Sequence, residues 1–322
     1  MSDALSSSGA GPATERRLLE LLVLGVMVVW AANFIAVKVA IAVVPPVAFS
    51  FVRFGLVALC LLALARRIEG ALVIPRRDLV PIMALGGLGF GLYQILWTTA
   101  LADTTAGTSS LLIATTPIFT MLLASVAGSD RIGRHRVAGA ALSFVGVALV
   151  AAAGDGLGYD GRLAGELMTL AASLCWGVYL AFGSPFLRRH SPLLTTAWAM
   201  AGGSLVLAPL GLAQLATVDP SAITPTIVAA FAFSALLAAA AANVIVFRAV
   251  RLLGPTRVAN FQFLVPAIAV ALGALLLGER IFLGQVVGGA GIVAGILVAR
   301  GAPAGVPGRS PAAIEAEQIE PA

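Results

Sequence analysis

Residues 115–150 read TTPIFTMLLASVAGSDRIGRHRVAGAALSFVGVALV, and residues 264–299 read LVPAIAVALGALLLGERIFLGQVVGGAGIVAGILVA. A shift of 149 positions places Pro117 on Pro266 and the DRI triplet of the first stretch on the ERI triplet of the second. Several prolines, glycines and charged residues that match at one offset indicate an internal duplication, because apolar sequence alone would align at many offsets. The chain is therefore predicted to contain two copies of one apolar unit.

The composition indicates that these units lie in a membrane. Of the 322 residues, 60% are hydrophobic and 11% are charged, whereas about a quarter of the residues of a soluble domain are charged. The formal net charge of +5 would suit a nucleic-acid-binding protein, but the arginines occur in short clusters between apolar stretches. The lipid bilayer is therefore the expected partner, and no nucleic acid is expected.

The apolar stretches are long enough to cross the bilayer, which takes about 20 residues of helix. Ten candidate spans follow one another along the chain, at residues 18–41, 47–65, 79–101, 105–127, 136–153, 163–185, 193–215, 223–248, 256–277 and 282–300. The predicted fold is thus an all-α polytopic membrane protein with ten transmembrane helices.

The arginines predict the orientation of these spans, because Lys and Arg near span ends are retained in the cytoplasm. Arginine clusters precede span 1, fill the second, fourth, sixth and eighth loops, and follow span 10. Both termini are therefore predicted to be cytoplasmic. The predicted segments are a cytoplasmic tail (1–17), two five-span units (18–153 and 163–300) and a disordered tail (301–322) that is rich in Pro and Ala.

An odd number of spans in each unit makes the second copy enter the membrane from the opposite side. Trp30 and Trp176 align at an offset of 146, as do Pro46 and Pro192, so the duplication includes the first spans of both units. Inverted repeats are typical of transporters, in which the two halves expose a midplane site to either side in turn.

The motifs resemble those of a known superfamily. The stretch WAANFIAVK (30–38), then PPVAFSFVRFGLVALCLL (45–62), and the two stretches quoted first are similar to the drug/metabolite transporter superfamily of the EamA type, over about residues 20–300. Within it the chain looks most like YddG-type exporters of aromatic amino acids and other metabolites. The resemblance implies two inverted five-helix repeats around a central cavity, which spans 1, 3, 4, 6, 8 and 9 line, in a bacterial inner membrane.

Span 1 carries polar residues at depth. Trp30 and Asn33 lie on one face of the helix and can either line a cavity or hydrogen-bond to a neighbouring helix. Lys38, the single lysine of the chain, and Arg53 in span 2 must each reach the interface, water or a partner, because an uncompensated cation at bilayer depth costs at least ~2.5 kcal/mol. Snorkelling suits both; alternatively, Lys38 borders the cavity and attracts carboxylates, whereas Arg53 is expected to be structural.

Span 3 carries Tyr93, Gln94 and Trp97. The resemblance implies a cavity role for Tyr93 and Gln94, because they match an aromatic-plus-polar pair of the YddG-type exporters. A histidine can occupy the second position there, and its replacement by Gln removes a titratable group. Trp97 suits either substrate contact or an aromatic belt at the outer interface.

The second unit supplies the matching candidates. Trp176 and Tyr179 lie in span 6. The indoles of Trp176 and Trp30 either face each other across the repeat axis and together contact an apolar or aromatic side chain of a substrate, or pack against neighbouring helices. Asn243 occupies the repeat position of Gln94, and Asn260 lies in span 9. Each amide is expected either to contact substrate or to bridge two helices.

Prolines and glycines predict bends and close packing. Pro117 and Pro266 leave the carbonyls of Ile113 and Gln262 without intrahelical donors, so they are predicted hinge positions. Two series of small residues, in spans 5 and 10, predict helix-packing seams rather than an oligomer contact: Gly139, Ser143 and Gly146, and Gly284, Gly288, Gly291 and Gly295. The chain is therefore expected to be a monomer, with a dimer as the alternative.

The candidate functions follow from these residues. No Asp or Glu falls in the middle of a predicted span, which favours uncoupled transport. The resemblance implies export of amino acids, aromatic or apolar ones above all, and of related small metabolites by alternating access, and this is the first hypothesis. The alternative is a carrier of anionic metabolites, such as nucleotide sugars or phosphate esters, that uses Lys38 and Arg53. An intramembrane enzyme or a channel is remote, because the sequence carries no catalytic or metal-binding motif and no selectivity-filter pattern. No cofactor or metal is expected.

Overall fold

The computed structural model describes residues 12–70, 72–126, 133–153, 162–243, 245, 246, 249, 258 and 261–300. Every regular element in this part of the chain is helical. The DRI triplet, Asn260 and both predicted tails lie outside the described residues, except for residues 12–17, with which the first helix begins.

Twelve α-helices can be bounded in the described part of the chain. They are α1 (Pro12–Ile41), α2 (Pro46–Glu69), α3 (Arg76–Gly86), α4 (Tyr93–Asp103), α5 (Ala106–Ile113), α6 (Thr116–Val126), α7 (Arg134–Ala152), α8 (Arg162–Arg189), α9 (Pro192–Leu215), α10 (Pro225–Ala232), α11 (Leu264–Leu277) and α12 (Leu283–Arg300). Seven apolar helical segments are long enough to cross a membrane: Arg17–Ile41, Pro46–Glu69, Arg76–Asp103, Ala106–Leu123, Arg134–Ala152, Leu163–Gly183 and Pro192–Leu215. These segments confirm the all-helical polytopic fold. Three shorter apolar helices coincide with predicted spans 8 to 10, and the count of ten stays a prediction.

Local sequence sets several helix ends. Pro46 and Pro192, which the duplication pairs, are the first residues of α2 and α9, where a missing backbone N–H costs nothing. Ser191 caps α9 by accepting a hydrogen bond from the Leu194 N–H. Gly70 and Gly278 end α2 and α11 with φ of 75° and 67°, a conformation that favours glycine.

Two helices contain π-helical turns. Gly87–Leu92 joins α3 to α4 without a break, and Phe233–Ala241 continues α10. Residues 87 and 233 are separated by the same 146 positions that separate Trp30 from Trp176. The two π-helical segments therefore begin at corresponding positions of the duplicated sequence, and such segments are frequent at functional sites.

Two other helices break just before the predicted hinge prolines. A turn at residues 114–115 separates α5 from α6, and a turn at residues 262–263 precedes α11. The Ile113 carbonyl accepts hydrogen bonds from Thr116 Oγ1 at 2.8 Å and from Ser173 Oγ at 3.4 Å. The Gln262 carbonyl accepts one from the Val265 N–H at 3.1 Å. Side-chain hydroxyls and a tightened turn thus provide the donors that proline removes.

The glycine seams that the sequence predicts in spans 5 and 10 pack against each other. A Cβ atom on Gly139 would lie 2.4 Å from the Gly295 carbonyl oxygen, and one on Gly146 would lie 2.5 Å from that of Gly288. Ser143 Oγ donates to the Ile292 carbonyl at 3.1 Å across the seam. The contact lies within one chain, between repeat-related helices α7 and α12.

Candidate functional site

Aromatic side chains from spans 3 and 6 form a continuous cluster in the bundle. Trp176 lies 5.7 Å from Tyr93 and 5.0 Å from Tyr179, measured between ring centroids, and the ring planes of Trp176 and Tyr179 are 22° apart. Phe90 meets Trp176 and Tyr179 edge-on at 5.2 and 5.0 Å. The structure therefore brings together Tyr93, Trp176 and Tyr179, three residues that the sequence predicts for the site.

Close backbone packing positions this aromatic cluster. A Cβ atom on Gly89 would lie 2.6 Å from Tyr179, and one on Gly203 would lie 2.5 Å from Phe90. Glycine at these positions lets the π-helical turn approach α8 and α9 closely. Tyr93 begins α4 directly after that turn, so the turn sets the direction of its ring.

Gln94, beside Tyr93, points into protein rather than lipid. Its side chain is 4% exposed, and its Oε1 atom has no hydrogen-bond partner in the described part of the chain. A buried acceptor without a donor is costly, which is typical of sites that await a ligand.

Trp97 is buried, so the interfacial-belt alternative is wrong for this residue. Its side chain is 3% exposed, and its Nε1 donates to Ser109 Oγ at 3.0 Å. The indole stacks on Tyr93 at 6.0 Å and meets Phe34 edge-on at 5.3 Å. Trp97 therefore supports Tyr93 and links the aromatic cluster to span 1.

Trp30 and Asn33 hold span 1 against the π-helical segment of span 8. Trp30 Nε1 donates to the Ala238 carbonyl at 3.1 Å, and Ser234 Oγ donates to Asn33 Oδ1 at 2.6 Å. Of the two alternatives for Asn33, the structure favours hydrogen bonding between helices. Trp30 packs on a separate apolar cluster of spans 1 and 8, and the structure does not bring it into ring contact with Trp176.

Lys38 pairs with a carboxylate of its own chain. Its Nζ donates to Glu279 Oε1 at 3.0 Å and to the Thr104 carbonyl at 2.5 Å. Glu279 also accepts hydrogen bonds from the Ala106 and Gly107 N–H groups at the start of α5, where negative charge is favourable. Glu279 thus occupies the place that the sequence hypothesis gave to a substrate carboxylate, and we do not include Lys38 in the proposed site.

Arg53 lies inside the bundle, so the snorkelling alternative does not hold for this residue. The residue is 4% exposed, and its guanidinium carbon lies 4.9 Å from the centroid of the Phe54 ring. Its Nε and Nη1 atoms are buried without hydrogen-bond partners in the described part of the chain. The antiparallel contact of α2 and α4 prevents snorkelling, because it places the guanidinium inside the bundle.

Asn243, one of the two asparagines predicted in the second unit, adds little to the site. Asn243 Nδ2 donates at 2.7 Å to the Ala239 carbonyl of its own helix, so it neither bridges helices nor matches the orphaned amide of its repeat partner Gln94. Asn260 lies outside the described residues.

A groove leads toward the aromatic cluster from the end of the bundle that the arginine pattern assigns to the cytoplasm. It is open to the surface, has a volume of about 550 Å³, and is lined by Pro81, Ala84, Leu85, Phe182, Pro185, Phe186 and Arg189. A narrower gap shares Leu85 and Phe186 with the groove and reaches Tyr179. At the same end, Asp78 of α3 pairs with Arg189, the last residue of α8, at 3.0 Å and with His190 at 2.7 Å. These contacts hold α3 and α8 together.

Sequence reasoning missed two residues of this region, Phe90 and Glu279, and the interior position of Arg53. Phe90 joins Tyr179 and Trp176 to Phe54 of span 2, Glu279 neutralises Lys38, and Arg53 is an interior cation. One signal could have identified the interior position of Arg53, namely that it lies opposite the polar residues of span 3. This signal appears only once the pairing of α2 with α4 is known.

Comparison with known proteins relates this chain to membrane transporters. The profile of the EamA-like transporter family matches residues 17–152 and 163–301. A Streptantibioticus cattleyicolor protein named "Probable terminal-alkyne amino-acid exporter" is 32% identical over 275 residues, which cover 84% of this chain and 90% of the relative. A Salmonella typhimurium protein named "Probable amino-acid metabolite efflux pump" is 30% identical over 289 residues, covering 86% and 93%.

Structural similarity agrees with the sequence matches. A solved crystal structure with 20% sequence identity superimposes with a TM-score of 0.60 and covers 88% of this chain and 96% of its own chain. This likeness supports the fold alone. The family match and the relatives point to transport rather than catalysis, with a small molecule as the substrate. Because the profile covers more than half of the sequence, the chain belongs to the EamA-like transporter family.

Proposed function

We propose that this transporter exports amino acids with aromatic or apolar side chains, and related small metabolites, across a bacterial inner membrane by alternating access. The observation that carries the proposal is the cluster of Tyr93, Trp176 and Tyr179, to which both halves of the chain contribute next to the π-helical turn of span 3. The names of the relatives support amino acids as the substrate class.

Alternating access would part these aromatic rings. They pack on one another in this conformation, and a substrate side chain that enters between them exchanges ring–ring contact for similar contact with itself. Residues 18–153 and 163–300 would then act as the two inverted halves, with both termini in the cytoplasm. A monomer suffices, because the glycine seam is already filled by contact between α7 and α12.

Uncoupled transport is the simplest mechanism for these residues. Glu166 is a buried carboxylate near the start of α8, and the residues that form the aromatic cluster include no Asp, Glu or His. A proton relay normally places such a group at depth. The substrate gradient would therefore drive export.

Reconstitution tests the proposal directly. Purified protein in liposomes should accelerate equilibration of labelled phenylalanine, tryptophan or leucine relative to protein-free liposomes, equally with and without a pH gradient. Tyr93→Ala and Trp176→Ala should each lower the rate at normal folded yield, whereas Phe144→Ala, an exposed aromatic on α7, should not. No acceleration for any amino acid would contradict the substrate class. A strict need for the gradient would contradict uncoupled transport.

A further inference from the structure

We propose that Arg53 and Gln94 bind the charged head group of the transported amino acid, with Arg53 on the carboxylate and Gln94 on the ammonium group. This inference rests on the proposed function above and assigns a residue of span 2 to the site. It starts from two orphaned buried groups of opposite character, the Nε and Nη1 donors of Arg53 and the Oε1 acceptor of Gln94.

The pairing of α2 with α4 places the two side chains together. Ser50 Oγ donates to Thr98 Oγ1 at 3.3 Å, and Phe54 lies 5.6 Å from Phe90. Residue numbers thus rise along α2 as they fall along the facing helix, so the two helices are antiparallel. Arg53, three residues after Ser50, therefore lies beside Gln94, four residues before Thr98.

Tyr93 connects this pair to the aromatic cluster. It is adjacent to Gln94 in the chain, and its phenol lies within electrostatic range of the Arg53 guanidinium. Its ring faces Trp176 at 5.7 Å. A zwitterion with its head group at Arg53 and Gln94 would therefore place its side chain toward Tyr93 and Trp176.

The lack of hydrogen-bond partners at Arg53 among the described residues argues against a purely structural role. A structural buried cation normally has a carboxylate or several carbonyl partners, because a buried unpaired charge is strongly unfavourable. The Phe54 ring supplies a cation–π contact and leaves Nε and Nη1 unsatisfied among the described residues. A carboxylate accepts two parallel hydrogen bonds along one edge of a guanidinium, and would thereby satisfy one of these two nitrogens together with Nη2.

The same groups set the ligand class. Lys38 is occupied by Glu279, so the site offers one cation to a ligand, which suits a monocarboxylate rather than a phosphate ester. The Gln94 acceptor adds a partner for a positive group beside the carboxylate. An α-amino acid carries both.

The test compares L-phenylalanine with L-phenylalaninamide and phenethylamine, which lack the carboxylate, in liposomes that hold the full chain. The wild type should prefer L-phenylalanine. Arg53→Met should raise the KM for L-phenylalanine about 10- to 100-fold, the loss expected for charge-assisted hydrogen bonds, and abolish the preference over the amide. Arg66→Met, an exposed arginine on the same helix, should leave both unchanged.

Unfolding temperatures separate binding from structure. Empty Arg53→Met should unfold at or above the temperature of the empty wild type, because the variant removes an unpaired buried charge. L-phenylalanine and phenylacetate should raise the unfolding temperature of the wild type and not of Arg53→Met. Arg53→Lys, which keeps the charge and loses the two-pronged geometry, should show an intermediate KM.

Each outcome decides a question. A wild-type KM and preference in Arg53→Met, or a large fall in the unfolding temperature of that empty variant, would overturn the head-group proposal while amino-acid export stands. Failure of the wild type to move any amino acid would overturn the proposed function, and the phenylacetate shift would still decide whether Arg53 binds a carboxylate.

Discussion

At the scale of single residues, the two cations of spans 1 and 2 have opposite environments. Lys38 has a carboxylate and a carbonyl within hydrogen-bond distance, whereas two nitrogens of Arg53 have none among the described residues. The sequence does not distinguish Lys38 from Arg53, because each is a cation within an apolar stretch. Packing distinguishes them, because Glu279 reaches Lys38 from a position 241 residues away.

Replacement of Glu279 should destabilise the protein more than replacement of its partner Lys38. Removal of one partner of a fully buried pair costs about 3–5 kcal/mol, and the Lys38 side chain keeps 26% exposure, so Lys38→Ala should cost about 1–3 kcal/mol. Glu279→Ala should cost more, because it also removes the acceptor for the Ala106 and Gly107 N–H groups. Apparent unfolding temperatures of the purified variants measure both. Equal losses would contradict the capping role.

The candidate site was predictable from the sequence in part. Aromatic residues at depth in spans 3 and 6 predicted Tyr93, Trp176 and Tyr179, which lie together. Span 1 likewise carries an aromatic and a polar residue at similar depth, Trp30 and Asn33, yet both form hydrogen bonds with span 8. Helical spacing gives the face on which a residue lies and not the helix that it meets, so site and packing residues look alike before the fold is known.

At the scale of helices, the α7–α12 seam should resist even one added methyl group. Gly146→Ala would place Cβ 2.5 Å from the Gly288 carbonyl oxygen, and the forced separation should cost about 1–3 kcal/mol. Gly55→Ala is the matched control, because nothing lies within 4 Å of its added Cβ, and it should be neutral or stabilise the helix by up to about 1 kcal/mol. Thermal unfolding compares them. Similar unfolding temperatures in the two variants would contradict a tight seam.

The break before Pro117 should act in the transport cycle. Pro117→Ala restores a backbone donor that can bond the Ile113 carbonyl, which Thr116 and Ser173 now satisfy, so α5 and α6 can join into one straight helix. We expect the maximal transport rate to fall about tenfold, equivalent to about 1.4 kcal/mol on the barrier, with KM unchanged. Counterflow kinetics in liposomes measure both. An unchanged rate would remove Pro117 from the hinge.

The π-helical turns are the local feature that sequence reasoning could not provide. Gly87–Leu92 is rich in glycine, whereas Phe233–Ala241 is rich in alanine, so the two segments share no composition that marks an i→i+5 turn. Their corresponding positions in the duplicated sequence show that the geometry is a property of the fold. It positions Tyr93 in one half and offers the Ala238 carbonyl to Trp30 in the other.

At the scale of the whole molecule, the helices could be predicted from the sequence because the bilayer constrains their length. A fixed hydrocarbon thickness sets helix length, which is why the predicted spans 47–65, 136–153 and 193–215 fall within a few residues of α2, α7 and α9. No comparable constraint determines which helices contact each other. The seam of α7 and α12 was an exception, because glycine spacing records close approach directly.

The two ends of the bundle should open reciprocally. At one end Glu279 ties residues 104–107 to Lys38, and Ala106 is fully buried beneath it, whereas at the other end Ala84 borders the open groove. In a background with both native cysteines replaced by alanine, Ala84→Cys should react with an impermeant maleimide from the cytoplasmic side. Ala106→Cys should be protected in intact cells.

Breaking the tie should shift this balance. Glu279→Gln weakens the contact of Lys38, and a shift of about 1.4 kcal/mol changes the ratio of the two states tenfold. Labelling of Ala106→Cys from outside should therefore rise while labelling of Ala84→Cys falls, and the exposed Val43→Cys should label from outside equally in both backgrounds. Loss of protection at Ala106 without any change at Ala84 would contradict alternating access. Labelling of Val43→Cys from the cytoplasmic side alone would contradict the predicted orientation, because residue 43 joins the first two spans on the face opposite both termini.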